Sequence, residues 1–589
     1  MQRVMEVARE RVALLRLLRS AGGLTVAVLA GLAAIGVAAA PVLAILVRHL
    51  VDAMVSGAPY LWPVAALAGV MLLRQAGEIV GEAVDAVARK QIDGAVRSRV
   101  RRLTLAPSDI THLEDPAFHD LAARAGDQGI TWRVRSPGAA SVGQVKITVR
   151  MLATIATAGV LATYFPFLAL TLLGVSLAIR WIIRRQWMYL ESVKDAATPE
   201  RRKVDYWADI AAGPEAGKEI RVFGLGGWVS ERRLAAHYAW MADYWVIRRR
   251  VLRRQWTTGL LAAVAALLAL LVPGLAALHG ELSVGELSSC LVAAWGVFAI
   301  SVMGPEAFDI DYGRTSVTAL RALESRRSSP RTGVPAPGGV PEIRFEGVSF
   351  AYPGMPRPVL DGVDLTIGAG ERLAIVGISG SGKTTLVKLL AGLYQPTSGR
   401  ILVDGVDLCD LDPQGWRRQL SVLFQDFVRY PLTARDNITL AAPEASGSDE
   451  EISALAREVV DRIDTVLWRT GTGGRDLSGG QWQKLAIARV RYAVSKGRRV
   501  VVLDEPTAHL DVRAEAEFHE RVIGGVGSAS VVLISHRLST VRPADRIVLL
   551  RDGRVTEQGS HDELMAEDGE YARLFRLQAS RFTSEGAAR

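Results

Sequence analysis

A chain of 589 residues exceeds what one hydrophobic core supports, so at least two domains are expected. The mean hydropathy of +0.20 averages two unlike parts, long Ala, Leu and Val runs before about residue 340 and a mixed soluble composition after it. A net charge of +9 raises nucleic acid as a partner, but the basic residues flank the apolar runs, which assigns them to membrane topology instead; the two cysteines, Cys290 and Cys409, exclude a disulfide framework or a cysteine metal cluster.

The N-terminal stretch 1–20 is amphipathic and Arg-rich, and the first apolar run is too long for the core of a signal peptide. It is therefore expected to stay in the mature protein, with no leader-cleaving peptidase domain ahead of it. A bilayer core about 30 Å thick needs about 20 apolar residues in a helix. Six runs of that kind follow, near 22–47, 60–81, 147–164, 167–183, 257–279 and 287–303, and six in succession read as membrane spans rather than buried core helices. Phe165-Pro166 separates the third and fourth as a tight turn.

Arg3, Arg9, Arg11, Arg16 and Arg19 precede the first span, Arg97, Arg99, Arg101 and Arg102 follow the second, and Arg184, Arg185, Arg248, Arg249, Arg250, Arg253 and Arg254 lie between the fourth and fifth. The opposite connections carry almost no basic charge apart from Arg48, which puts both termini and the soluble half in the cytoplasm. Arg74, Glu78 and Glu82 recur at helical spacing on the second span, and Glu306, Asp309 and Asp311 follow the sixth. Two readings stand for these charges: an acidic cavity for a cationic or zwitterionic cargo, or an i,i+4 ion pair with the rest in a cytoplasmic extension.

The Pro-, Gly- and Ser-rich stretch 328–341 reads as a linker between a membrane domain at 1–327 and a soluble domain at 342–589. In the latter, Gly377-Ile378-Ser379-Gly380-Ser381-Gly382-Lys383-Thr384-Thr385 follows a strand-like segment and precedes a helix-like one, the context of a phosphate-binding P-loop. Backbone amides there turn onto phosphate oxygens, Lys383 supplies a cation, and Thr384 offers a hydroxyl to Mg²⁺. Val500-Val501-Val502-Leu503 leads into Asp504, a carboxylate for the metal, and then Glu505. Between them Leu477-Ser478-Gly479-Gly480-Gln481 caps a helix whose N-terminus can bind a further phosphate.

The order and spacing of these motifs resemble the ATP-binding cassette (ABC) proteins, and with six preceding spans the chain resembles exporters that fuse an all-α transmembrane domain to one α/β P-loop NTPase domain with a helical subdomain. The resemblance implies that Glu505 polarises the attacking water, Tyr352 stacks on adenine, Gln425 senses Mg²⁺, His536 contacts the γ-phosphate, and Asp511 crosses a dimer interface. It implies that Ser478, Gly479, Gly480 and Gln481 bind ATP held by a second chain, either a homodimer partner or a paralogous one, with ATP and Mg²⁺ as cofactors. Leu113-Glu114-Asp115-Pro116 and the segment from Lys218 to Leu225 resemble coupling segments, whereas Thr472 stands where many exporters have a glutamate. The implied function is ATP-driven transport by alternating access at the cytoplasmic membrane, with a small molecule, drug-like compound or peptide as cargo and membrane lipid as surroundings. A lipid flippase or siderophore-type importer on the same fold is the alternative, and a non-transport cassette ATPase is disfavoured by the six runs.

Overall fold

The computed structural model describes residues 2–126, 136–213, 216–304, 306–326, 333–468, 474–506 and 527–586. The chain divides into two compact units, Met1–Arg101 with Asp120–Ser325, and Arg102–His119 with Arg326–Arg589.

The first unit is helical: α1 (Gln2–Leu17), α2 (Gly23–Ser56), α3 (Leu61–Leu105), α4 (Pro116–Gly126), α5 (Pro137–Ala162), α6 (Pro166–Ala196), α7 (Thr198–Ala212), α8 (Gly217–Val222), α9 (Gly226–Leu278), α10 (Val284–Phe298) and α11 (Glu306–Ser325). Among the described residues five helices, α2, α3, α5, α6 and α9, are long and apolar enough to cross a membrane. The fold is that of a multi-pass membrane protein. At 1.5 Å per residue the 45 residues of α3 and 53 of α9 run about 70 and 80 Å, more than twice the hydrocarbon thickness. Their polar halves, with Arg97, Arg99, Arg248 and Arg249, are the charged connections of the sequence in helical form. The Phe165-Pro166 turn is present, between the end of α5 and the start of α6.

The apolar run at 287–303 is not one continuous helix. α10 has 15 residues and ends at Phe298, and the chain then unwinds before α11. A helix end leaves carbonyls without intrahelical partners. Here Arg180 donates to the carbonyls of Ile300 (3.1 Å) and Val302 (3.4 Å), and Arg150 donates to that of Val302 (3.1 Å). Helix α11 packs tightly on α5: a Cβ added at Gly313 would come within 2.1 Å of the Ala140 Cβ.

The second unit is an α/β domain with two sheets. Strands β1 (Ile343–Phe350), β2 (Leu360–Ile367), β4 (Ser398–Val403) and β5 (Val406–Asp407) form an antiparallel sheet in the order β2-β1-β4-β5. The other sheet has the order β10-β9-β3-β8-β7-β6, built from β3 (Arg372–Val376), β6 (Leu420–Leu423), β7 (Val500–Asp504), β8 (Ser530–Ile534), β9 (Arg546–Arg551) and β10 (Arg554–Gly559). All its pairings are parallel except the antiparallel edge strand β10. Every residue of β7 and β8 is buried, as expected of parallel strands covered on both faces. Helices α12 (Lys383–Leu390), α13 (Pro413–Arg417), α14 (Ala434–Thr439), α15 (Asp449–Ala456) and α16 (Gly479–Ser495) complete the part that matters for the site. The last three share their own apolar core with Trp482 and Tyr492, which makes them a helical subdomain.

Candidate functional site

In an open parallel sheet, ligands collect at the carboxyl ends of the strands. β3, β7 and β8 lie side by side with Asp504 registered against Ile534, so their carboxyl ends deliver the P-loop, the pair Asp504-Glu505 and His536 to one edge. The P-loop between β3 and α12 turns where only glycine fits: Gly382 has φ of 103°, and a Cβ there would lie 2.7 Å from Leu360 Cδ2. At Gly377 a Cβ would approach the Leu550 carbonyl oxygen to 2.2 Å.

Lys383 is folded inward, its Nζ donating to the carbonyls of Gly377 and Ile378, each at 2.9 Å. Burial lowers its pKa, partly opposed by the carboxylates of Glu505 and Asp504. The Ser381 hydroxyl is buried in the same loop without a hydrogen-bond partner, an orphaned polar atom that a phosphate oxygen would satisfy. Thr384 Oγ1 donates to Asp504 Oδ2 at 2.9 Å. Asp504 is buried, and that burial raises its pKa above the usual carboxylate range.

Glu505 is held on both oxygens. Gln425 Nε2 donates to Oε2 at 3.0 Å, and His536 Nδ1 lies 3.2 Å from Oε1. Its backbone has φ of 50°, in the left-handed region that costs a non-glycine residue about 1–3 kcal/mol. The cluster thus assembles residues from the ends of three strands around one carboxylate, with its strain located at that carboxylate.

Tyr352 lies beyond β1, its hydroxyl 3.1 Å from Thr385 Oγ1 and its ring edge-on to Phe350 and Tyr394. Ser478 caps α16 in a reciprocal capping box: Gln481 N donates to Ser478 Oγ (3.3 Å) and Ser478 N to Gln481 Oε1 (3.0 Å). Gly479 and Gly480 form the first turn of that helix. The structure brings Ser379, Gly380, Lys383, Thr384, Asp504, Glu505, Gln425 and His536 into one region, and among the described residues no hydrogen bond or ion pair joins Ser478 or Gln481 to the P-loop. Asp511 and Thr472 lie outside the described residues.

Two positions escaped the sequence reading. Gln483 on α16 donates to the carbonyl of Pro506, directly after Glu505. Arg489, two turns further along, binds the backbone of Val428 and both the backbone and side chain of Asn437. Both are long-range contacts with no local spacing signal.

The membrane acids are largely neutralised by neighbours. Arg74 pairs with Glu78 (3.1 Å) at i,i+4, Arg150 with Glu306 (2.7 Å), and Asp311 with Arg184 (3.1 Å) and Arg314 (3.4 Å). Of the two readings of these charges, the ion-pair one describes Arg74 and Glu78.

The carboxyl ends of a parallel sheet that bear a P-loop after β3, two acidic residues at the tip of β7 and a glutamine and histidine on the second of them define a P-loop ATPase domain. The ABC transporter family model matches residues 360–508. That stretch, from β2 to just past Glu505, is therefore similar to the ATP-binding cassette of ABC transporters. Among known proteins the chain is similar to the ATP-dependent lipid A-core flippase of Chromobacterium violaceum, 37% identical over 334 residues that cover 55% of this chain and 56% of the relative. It is also similar to the mycobactin import ATP-binding/permease protein IrtB of Mycolicibacterium thermoresistibile, 40% identical over 271 residues, 45% of this chain and 46% of the relative. The matched stretch thus spans about half the length of these curated relatives. The solved structure of a bacterial Atm1-family ABC exporter with ATP bound superposes with a TM-score of 0.70 at 24% identity, covering 94% of this chain and 98% of the other, a likeness of fold.

Proposed function

We propose that the chain is half of a dimeric ABC transporter in the cytoplasmic membrane, using ATP hydrolysis to move a small molecule, drug-like compound or peptide, with export as the direction. The observation that carries this reading is Glu505, gripped on both oxygens by Gln425 and His536 beside a P-loop, in a chain that also has five membrane-length helices.

In this reading the P-loop amides and Lys383 hold the β and γ phosphates of ATP, with Ser379, Gly380, Ser381, Thr384 and Thr385 completing the cradle and Tyr352 against the adenine. Thr384 and Asp504, two oxygen donors already 2.9 Å apart, fit Mg²⁺ with Gln425 nearby. The metal when bound would neutralise phosphate charge. Glu505 takes a proton from the attacking water as general base, worth roughly 10²–10⁴ in rate, while Gln425 and His536 fix the orientation of its carboxylate.

A second cassette, from another copy of this chain or from a paralogous one, belongs to this reading, because the capped N-terminus of α16 is free to bind a phosphate held by that partner. In the dimer Ser478, Gly479, Gly480 and Gln481 would close on the γ-phosphate held by the partner. The exposed tip of α8, where Val222 and Phe223 are 79% and 66% accessible, would be covered by the partner's cassette. The Arg-rich flanks support an orientation with both termini in the cytoplasm. ATP binding then closes the two cassettes, the helices open outward, and hydrolysis resets them.

The similarity to a flippase and to an import permease favours a second reading for direction and cargo, in which lipid or an iron carrier is moved. One experiment separates them: native cells carrying the wild-type chain or Glu505→Gln at equal levels, with small molecules, peptides and lipids compared inside and outside. Export predicts a compound that accumulates inside the mutant. A compound that fails to enter the mutant identifies an importer, and a lipid change alone identifies a flippase. No change of any class, with both proteins present in the membrane, would refute transport.

A further inference from the structure

Residues 102–119 pack with the cassette rather than with the helical unit, and their contacts converge on the C-terminal end of α12. The Ile110 amide donates to the Leu393 carbonyl at 3.0 Å, and the Ile110 side chain packs against the main cassette core. The Arg417 guanidinium bridges the two segments: it donates to the carbonyls of Ala391 (3.3 Å) and Gly392 (2.8 Å) and to that of Ser108. These carbonyls just past α12 are the ones a helix end leaves exposed. The same helix begins at Gly382, with Lys383 and Thr384 in its first turn. Eight residues at 1.5 Å each make it a strut about 12 Å long between the phosphate cradle and the segment continuing from α3.

In the last turn of that strut sits Lys388. Its Nζ lies 3.4 Å from the Tyr352 hydroxyl, 5.2 Å above the Tyr352 ring, 5.6 Å above the Tyr394 ring and 3.8 Å from Glu114 Oε1. The Tyr352 hydroxyl also meets Thr385 Oγ1, one residue past Thr384. Burial, then a hydrogen bond and charge repulsion from the facing Glu114 carboxylate, push the pKa of the Tyr394 hydroxyl upward. One ammonium therefore touches the tyrosine read as the adenine platform, a second tyrosine, and an acid on the segment leading back to α3.

We propose that Lys388 and Glu114 are positioning residues, which register nucleotide seated against Tyr352 and transmit it to segment 108–114 and so to the long helix α3. The proposal rests on the transport reading. The mechanism is geometric: a base stacked on Tyr352 fixes its ring, the ring fixes the ammonium above it, and the ammonium draws Glu114. Glu114 and Lys388 are 37% and 26% exposed, so their pair contributes little to stability and its loss should leave the fold intact.

The test uses the full-length chain in phosphatidylethanolamine–phosphatidylglycerol nanodiscs, in a Glu505→Gln background that binds ATP without turning it over. Cys290 and Cys409 are replaced by Ala, and a spin label is placed at Ser56→Cys, near the end of α2. The distance between the two labels of the dimer is measured with and without ATP and Mg²⁺, and affinity for the fluorescent analogue TNP-ATP is measured in parallel. For Glu114→Gln the expected result is TNP-ATP affinity within twofold of its parent, with the ATP-shifted population reduced at least threefold. Lys388→Met should lose the shift as well, and Lys388→Arg, which keeps both the charge and the ring contact, should restore it. A Glu114→Gln chain that shifts like its parent overturns the proposal while leaving transport standing. A parent chain that binds TNP-ATP with immobile labels overturns the transport reading and the proposal together.

Discussion

Arg489 offers a test of how the helical subdomain is fastened to the catalytic strands. It lies on α16, the helix capped by Ser478, and its guanidinium donates Nε to the Asn437 carbonyl (2.9 Å), Nη2 to Asn437 Oδ1 (2.6 Å) and Nη1 to the Val428 carbonyl (3.0 Å). Asn437 is fully buried, and its amide in turn donates to the carbonyls of Tyr430, Leu432 and Thr433, so one side chain organises the loop that runs from Gln425. Arg489→Ala strips two buried acceptors on Asn437. At about 1.5–2 kcal/mol for each unsatisfied buried group, the loss is about 3–4 kcal/mol, the Val428 bond adding little because it is open to solvent. For a domain of this size that lowers the cassette's unfolding midpoint by roughly 10 °C. Arg489→Lys keeps the charge but not the fork, and should recover about half of the loss. Calorimetry of the full-length chain measures the cassette transition, with Asn437→Ala and the double variant completing a cycle. Because the two side chains act as one unit, the double variant should cost about 1–2 kcal/mol less than the sum of the singles. Single effects under about 1 kcal/mol, or strict additivity, would refute the reasoning.

Two further predictions follow from burial and close packing. Asp504 is a buried acid whose folded-state pKa is raised, first by burial, so the native state holds its proton more readily than the unfolded chain. Its protonation supports folding fully below the unfolded value, and that support is lost as pH rises through the folded value. At neutral pH Asp504→Asn should therefore raise the unfolding midpoint of the nucleotide-free cassette while abolishing ATPase activity; an unchanged or lower midpoint contradicts the assignment of burial as the dominant cost. Gly313→Ala inserts a Cβ against Ala140 where α11 crosses α5, and overpacking of this kind costs about 1–3 kcal/mol. Gly313→Ala should reduce the yield of folded dimer on size exclusion, and Ala140→Gly in the same chain should restore it; normal yield from the single variant refutes the close approach.

The motifs of the candidate site were legible as strand, loop and helix because each is contiguous and its local structure depends on neighbours in the chain. The P-loop needs a strand before it and a helix after it, and Asp504 and Glu505 need only the apolar strand that ends on them. What joins them was not legible: Gln425 and Glu505 are 80 residues apart, and their bond depends on strand order. The same distinction holds in the membrane half. Arg74 and Glu78 meet at i,i+4, a spacing that the sequence displays, whereas Arg150 reaches Glu306 only through the packing of α5 on α11. The interruption of the last apolar run was hidden because residues 299–303 remain mostly apolar. Its freed carbonyls are satisfied by Arg150 and Arg180 from two other helices, which hydropathy cannot register.

Purified protein in nanodiscs tests whether Glu505 drives ATP hydrolysis in a dimer of this chain. ATPase rate and bound nucleotide are measured together for the wild type and Glu505→Gln. The account predicts a rate at least about 10²-fold lower in the variant, with two ATP molecules retained per dimer, because a general base is removed and the binding groups are kept. A variant that hydrolyses ATP at close to the wild-type rate, or a wild-type chain that retains nucleotide only as a monomer, would contradict it.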